Sequence, residues 1–519
     1  VDILFLAPSD YLDPLSESWH PDLRHTIGFL RRQGIDAGFL APPDLTPPEP
    51  LIKGILAENP QSIFVHLTEE NIDAVVTFLR MLRRNCGRVR ILAGGIPATL
   101  SSRKLLEWCP EIEWLVAGER EFTLLEYARK LRKGESLDDV QGLRSRSFYN
   151  PPRPLIADLD MLGPMIQDGL EALLALIPPE RRAGYVMSSR GCYSRCSFCG
   201  IPGFYRSTGQ GWRGRGVTAV VDEMEVLSEK FSLRYFIIQD DNFFPPGEAG
   251  LERARRFAHE ILNRHLDVLF FFPCRISDVR QESFALLKEA GLDRVGIGVE
   301  SMHDKSLRLF QKGIRPEAIL PALDVLNDLH ISVEINMIFF DPHISLKGVR
   351  RNLDLLEYVR QQEFLFYSNA FPFNELKVFP WSPVAARLRK EGLLDEATGA
   401  CLYHDSRVGA LVEWVRRIRG KVGVNFKHQS FIEDSALDSS LYPETRMSDG
   451  GRLLVASLRQ WIGLHLFPRY LKLACDVVEE TDSAWEQRLG DLEARLMEEI
   501  NQSPIGAMLG HCQVVDHST

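Results

Sequence analysis

Residues 185–200, YVMSSRGCYSRCSFCG, set an apolar, strand-like run directly before three cysteines, Cys192, Cys196 and Cys199, spaced C-x-x-x-C-x-x-C. Three sulfur donors within eight residues point to a metal site. A structural zinc site closes its tetrahedron with a fourth Cys or His, and none stands between Cys199 and His259 to complete a compact knuckle. Three thiolates suit a 4Fe-4S cube with one iron left open. Zinc with a distant fourth ligand and simple burial of the thiols are the competing readings.

Outward from this stretch the pattern is that of an α/β chain. YVMSS is followed by YFIIQD, LFFFPC, RVGIGVE, VEINMIFF and FLFYSNAF, each separated by a helical segment. Six strand–helix units predict a partial parallel barrel over 181–392. Parallel strands buried on both faces read as continuous apolar runs, so the phenylalanines of DDNFF and LFFFPC are expected in a core, not as a stacking platform for bases. Upstream, DILFLAP, DAGFLAP, SIFVHL, VRILAGG and EWLVAGE alternate with helical patterns such as DLRHTIGFLRRQG. They predict a doubly wound, Rossmann-like sheet of five units over 1–143. RSRSFYNPPRPLIADLDMLGP, within 144–180, reads as a linker over the surface. Helical spacing in SRVGALVEWVRRIRG and its successors predicts a mainly helical domain over 393–519, with Trp414 and Trp461 in ordinary core packing.

With the aromatic Phe198 before the last cysteine, the chain resembles the radical S-adenosylmethionine (radical SAM) enzymes from about 181 to 392. GIPGFYRSTGQGWRGRGVTAVVDEME is similar to the family's stretch after the cluster loop. YFIIQDDNFF looks like the second barrel strand of its cobalamin-associated branch, with Asp240, Asp241 and Asn242 at the strand end. RVGIGVESMHDKSLRLFQKG, carrying Glu300 and Ser301 and closing on Lys312 and Gly313, is similar to the fourth strand. The resemblance implies that Cys192, Cys196 and Cys199 hold a 4Fe-4S cluster. It also implies that Phe198, Asp240, Asp241, Asn242, Arg275, Glu300 and Ser301 lie around SAM, whose cationic sulfonium and zwitterionic end need acceptors and donors.

AGGIPAT at 93–99, VAGEREFTLLEYARKLRKG and a closing VQGL resemble the cobalamin-binding domain fused ahead of many such barrels. On that resemblance Thr68, Gly94, Gly95, Gly118 and Glu119 are the cobalamin candidates, the glycines allowing backbone approach to a large ligand. The first loop, SDYLDPLSESWHPDLRH, lacks the D-x-H-x-x-G spacing that puts a histidine beneath cobalt, so a base-off cobalamin without histidine is implied. His20, His25 and His66 are the remaining imidazole candidates. The G-x-G-x-x-G and G-x-x-x-x-G-K-[ST] phosphate loops are absent.

Lys and Arg number 61 against 71 Asp and Glu, a net charge of -10, which argues against nucleic acid as a partner. The basic clusters around Arg83, Arg84 and Arg416, Arg417 read as helix ends. Cys86, Cys109, Cys274, Cys401, Cys475 and Cys512 are scattered, as reduced structural thiols in a cytoplasm are. The opening VDILFLAP is too short for a membrane span. The resemblance implies a cobalamin-dependent methyltransferase acting on an unactivated carbon of a small molecule or peptide, fed by an electron donor such as flavodoxin or ferredoxin. The alternative it implies is rearrangement, cyclisation or another group transfer driven by the 5'-deoxyadenosyl radical.

Overall fold

The computed structural model describes residues 1–6, 19–40, 49–68, 71–85, 89–175, 177, 179, 182–206, 211–362, 364–367, 373–421, 466–480 and 484–502. Cys86, Trp461 and Cys512 lie outside the described residues. The first sheet contains β1 (Ile3–Leu6), β2 (Ala37–Leu40), β3 (Ser62–Leu67), β4 (Arg90–Gly95), β5 (Trp114–Val116) and β6 (Leu143–Arg144), in the order β2-β1-β3-β4-β5-β6. The first five pair in parallel and β6 runs antiparallel to β5. Successive side chains serve opposite faces. Leu4, Leu6, Ile63, Val65, Ile91 and Ala93 enter one core, while Ile3, Phe5, Phe64, Leu92 and Val116 enter another. Two cores on one sheet are what the continuous apolar runs demand, and the doubly wound fold follows.

The helix Pro21–Arg32 shows how local signals agree with packing. Proline stands in its first turn, Asp22 favours the amino end and Arg31 and Arg32 favour the carboxyl end. Leu23, Ile27 and Leu30 fall on one stripe, and all three are wholly buried.

The second sheet is wholly parallel: β7 (Ala183–Val186), β10 (Tyr235–Ile238), β11 (Leu269–Arg275), β12 (Leu292–Glu300), β13 (Ser332–Met337) and β14 (Leu365–Tyr367), with β7 and β14 as its two edges. A short antiparallel pair, β8 (Ser189–Gly191) and β9 (Trp212–Gly214), frames the cysteine loop. Helices Ser406–Lys421, Phe467–Glu479 and Trp485–Gln502 continue the barrel's core instead of enclosing one of their own. Trp414 is buried among them and its Nε1 donates to the Leu489 carbonyl at 3.1 Å. Arg83 pairs with Glu113, Arg416 with Glu375 and Glu413, and Arg417 with Glu493, so these charges are matched within the chain. Among the described residues no helix is long and apolar enough to cross a membrane.

The passage 144–180 differs from a surface linker. Ile156, Leu159, Leu162, Met165, Leu170 and Leu174 are buried, and the passage is gripped from both sides. Arg24 of the first unit donates to the Ile166 and Asp168 carbonyls, and Asp160 accepts from Gly216 N of the barrel. Prolines marked it as irregular; its spaced leucines make it a strap.

Beneath the strap His25 Nε2 faces Glu223 at 3.5 Å, and Arg215 donates to the same carboxylate. Burial works to raise the Glu223 carboxyl, but His25 and Arg215 outweigh it and hold it at about 2, against an ordinary 4.5. A depressed carboxyl adds stability above its unfolded pKa and loses it as pH falls through the folded one. Stability should therefore fall by about 3 kcal/mol between pH 4.5 and 2 through this group. Denaturation midpoints across that range check it, and Glu223→Gln should flatten the slope; an unchanged slope would assign the acid sensitivity elsewhere.

Candidate active site

The cysteine loop leaves β8 and returns through the helix Gly200–Arg206. Its middle is anchored at Ser197. That residue's N donates to the Phe310 carbonyl at 2.8 Å, its Oγ to Leu309 at 2.6 Å, and its own carbonyl accepts from Val384 N. Phe198 packs edge-on against Phe310 with ring centroids 5.4 Å apart. Cys196 is buried, Cys192 and Cys199 are half-buried, and all three thiols are free. Burial pushes the Cys192 thiol up and the Cys199 thiol up to about 12. Thiolates here need a cation, which iron supplies on coordination. Arg275 adds charge: its Nη1 donates to Ser194 Oγ at 2.6 Å and reaches Cys196 Sγ at 3.6 Å.

The residues expected around SAM divide into two groups. Asp240 is spent on the backbone turn, accepting from Ser188 N, Ser189 N and both serine hydroxyls at 2.5–2.9 Å. Asn242 is also internal, donating through Nδ2 to Phe244 O while its carbonyl accepts from Trp212 Nε1. Ser301 is wholly buried and donates to Asn352. These three shape the strand ends. Arg275 belongs to the cysteine loop, with its second amino group on the Lys312 carbonyl. Glu300, at φ +67°, ends β12 in the left-handed region and pairs with Lys312 at 2.7 Å. Asp241 accepts from Gly191 N at 2.9 Å and faces a cavity. Burial raises its carboxyl to about 7, opposed by Gly191 and reinforced by Asp240 and Asp22.

That cavity, about 780 Å³ with its open mouth, lies where the carboxyl ends of the two sheets face each other. The first sheet contributes Leu67 and Thr68 at the end of β3, Gly95 and Ile96 at the end of β4, and Glu119 after β5. The barrel contributes Arg190, Tyr205 and Asp241. In a sheet ordered 2-1-3-4-5 this carboxyl edge is where ligands bind. The side chains of Thr68 and Asn71 accept from each other's backbone N–H at 3.1 and 2.9 Å, tying the end of β3 to the start of the next helix. At Gly95, φ +114°, an added Cβ would stand 2.1 Å from the Leu67 carbonyl oxygen, so glycine is required there. Gly94 is a packing position: a Cβ would meet the Phe64 ring at 2.5 Å. Gly118 makes the β5 turn at φ +77° against Pro152.

Glu119 lines the cavity and is at the same time held by neighbouring cations. Its oxygens accept from Arg190, Arg213 and Ile156 N at 2.6–3.0 Å. It belongs to a buried network that sequence reasoning missed. Arg190 also pairs with Asp22 and Glu121 at 2.6 Å, and Arg120 with Asp22 at 2.6 Å. The cations Arg120, Arg190 and Arg213 balance the carboxylates of Asp22, Glu119 and Glu121. Burial works to raise Asp22, but Arg120 and Arg190 hold it well below the usual carboxylate range. The signal was Arg190 in SSRG, directly before the first cysteine. His20 and His66 meet edge-on at 4.9 Å; burial lowers His20 to about 4 and His66 well below its usual value, so both are neutral. His66 lines the cavity, whereas His25 binds the strap through Gly163 O.

Residues 186–356 match the model of the Radical SAM superfamily. An uncharacterised methyltransferase of Pyrococcus horikoshii is 26% identical over 275 residues, covering 51% of this chain and 57% of that protein. An anaerobic magnesium-protoporphyrin IX monomethyl ester cyclase of Rubrivivax gelatinosus is 28% identical over 257 residues, covering 47% and 44%. The chain thus spans about half the length of these curated relatives. Among solved structures, the cobalamin-dependent S-adenosylmethionine radical enzyme OxsB, with aqua-cobalamin and S-adenosylmethionine bound, superposes with a TM-score of 0.66 at 19% identity, over 96% of this chain and 84% of that one. At that identity the likeness is one of fold.

Proposed function

Because the chain carries a radical SAM domain over residues 186–356, we propose that it is a cobalamin-dependent radical SAM methyltransferase, methylating an unactivated carbon of a small-molecule or peptide substrate. One observation carries this reading: a cavity bounded by the ligand-binding edge of a doubly wound sheet on one side and by the barrel edge that bears the cysteine loop on the other. In such enzymes the cluster and SAM supply a substrate radical, and cobalamin supplies the methyl group that it takes. In this reading the units are 1–143, 144–180, 181–392 and 393–519, and a flavodoxin- or ferredoxin-type donor delivers the electron.

The chain's own residues position and shield. Cys192, Cys196 and Cys199 hold the cluster, steadied by Arg275. Glu300 and Asp241 face the SAM side, with Phe198 packed behind the cluster loop. Asp240, Asn242 and Ser301 keep the strand ends in place. Thr68, Gly95, Ile96 and Glu119 form the corrin wall, with Gly94 and Gly118 supporting it from behind. The Arg190 network closes the wall between the units and keeps water from the radical.

Anaerobic protein reconstituted with iron, sulfide, cobalamin and SAM should release 5'-deoxyadenosine under reduction and, with substrate, S-adenosylhomocysteine in step with a methylated product. Mass spectrometry reads all three. The cyclase relative supports a second reading, radical cyclisation or rearrangement; 5'-deoxyadenosine without S-adenosylhomocysteine or added methyl would favour it over methylation.

Glu300→Ala should weaken SAM binding at least tenfold, about 1.5–3 kcal/mol, since a charged hydrogen bond is at stake. It also leaves Lys312 buried and unpaired, a further cost to folding of about 3 kcal/mol. Glu300→Gln keeps the shape and separates the two effects. Iron content should stay at the wild-type value in both, and unchanged SAM affinity would remove Glu300 from the site.

A further inference from the structure

Away from the cavity, three side chains from separate segments converge. His343 follows β13 in the loop Asp341–Ser345, Glu391 ends the helix Pro383–Glu391, and His404 precedes the helix Ser406–Lys421. One donor atom from each lies within 4.8 Å of the others. His343 Nε2 is 2.5 Å from Glu391 Oε2, and the two imidazole rings are 5.3 Å apart.

We propose that His343, Glu391 and His404 form a divalent-cation site, of zinc chemistry, that ties the loop after β13 to the segment entering the helical domain. Two imidazoles and a carboxylate are a donor set suited to a borderline ion, with water in the fourth position. Bonds of about 2.0–2.1 Å at tetrahedral angles put donors roughly 3.4 Å apart. The His343–Glu391 contact therefore opens by about 1 Å as the ion enters, and the three atoms already lie within reach.

The scaffold holds these donors in place without the ion. His404 N donates to the Pro342 carbonyl at 3.0 Å, stitching the two loops together. His343 N donates to Asp341 Oδ1 at 2.9 Å, and Asp341 is wholly buried. Arg387 Nε holds the other oxygen of Glu391 at 2.9 Å, leaving Oε2 turned to the histidines. An ordinary His–Glu pair explains one of these contacts but not the approach of His404 from a third segment.

The test uses cluster-loaded protein, so that iron occupies the cysteine loop, stripped with a mild chelator and then given zinc alone. Elemental analysis after gel filtration should find about one zinc per chain beyond the cluster iron, and zinc should raise the melting temperature. Glu391→Gln and His343→Ala/His404→Ala should weaken zinc binding at least tenfold and lose the thermal shift, with iron unchanged. The variant with all three cluster cysteines replaced by alanine should still take up zinc. Wild-type protein that takes up no zinc, equal zinc in the double histidine variant, or zinc lost with the cysteines would each overturn the proposal.

Discussion

Replacing Cys192, Cys196 and Cys199 together by alanine should give a folded protein that holds no cluster iron and cleaves SAM at least a hundredfold more slowly, with single replacements close behind. The loop's position does not depend on the thiols. Ser197 is hydrogen-bonded to Leu309, Phe310 and Val384 through its hydroxyl, N–H and carbonyl, and Phe198 sits against Phe310. Two of the three sulfurs are only half-buried, so their loss opens little cavity and the melting temperature of the cluster-free proteins should barely differ. Cys274 and Cys401 supply the contrast. Both are buried in apolar surroundings, so Cys274→Ala and Cys401→Ala should each cost about 1–2 kcal/mol of packing while keeping full iron content. Iron and sulfide analysis, visible absorbance and 5'-deoxyadenosine yield read the two outcomes separately. Iron retained at the wild-type level in the triple variant would remove these ligands, and with them the radical chemistry.

The strands of both sheets were legible because parallel strands buried on two faces leave runs such as SIFVHL and LFFFPC, and the cysteine loop was legible because its ligands lie within eight residues. What escaped was set by distance along the chain. Arg190 meets Glu119 and Glu121 from about 70 residues away, so no local spacing pairs them. Asp240 and Asp241 are adjacent in sequence yet separate in role, since a strand end turns one toward the serine backbone and the other toward the cavity. No local pattern distinguishes them. The two-residue β6 and the three-residue β8 and β9 are too short to carry a period. The strap's burial escaped because the prolines and arginines of RSRSFYNPPRPLIADLDMLGP mark irregular chain, while Leu155, Leu159 and Leu162, although spaced as on a helix face, are cut short by Gly163 and Pro164; Leu159 and Leu162 are buried in the seam.

Placing a large ring in the cavity should abolish cobalamin binding while leaving the cluster intact, and the structure dictates where. Gly95→Trp faces the sheet from within: φ +114° and a Cβ 2.1 Å from Leu67 O mean that even Gly95→Ala costs roughly 2–4 kcal/mol and distorts β4 before any ligand is tested. Ile96 is the better position. It follows Gly95 at the start of the helix Ile96–Leu100, is half-buried, and lines the cavity opposite the barrel edge. Ile96→Trp should thus fold with near wild-type stability and keep its cluster iron and 5'-deoxyadenosine formation. It should bind added hydroxocobalamin at least a hundredfold more weakly by equilibrium dialysis, and lose methyl transfer with it. In wild-type protein the cobalt(II) electron paramagnetic resonance lines should show no nitrogen splitting, because no D-x-H-x-x-G loop is present. Splitting that vanishes in His66→Ala would instead make His66, the imidazole on the cavity wall, the lower ligand. Wild-type protein that binds no cobalamin would leave the radical SAM chemistry standing and transfer the function to the cyclisation or rearrangement reading.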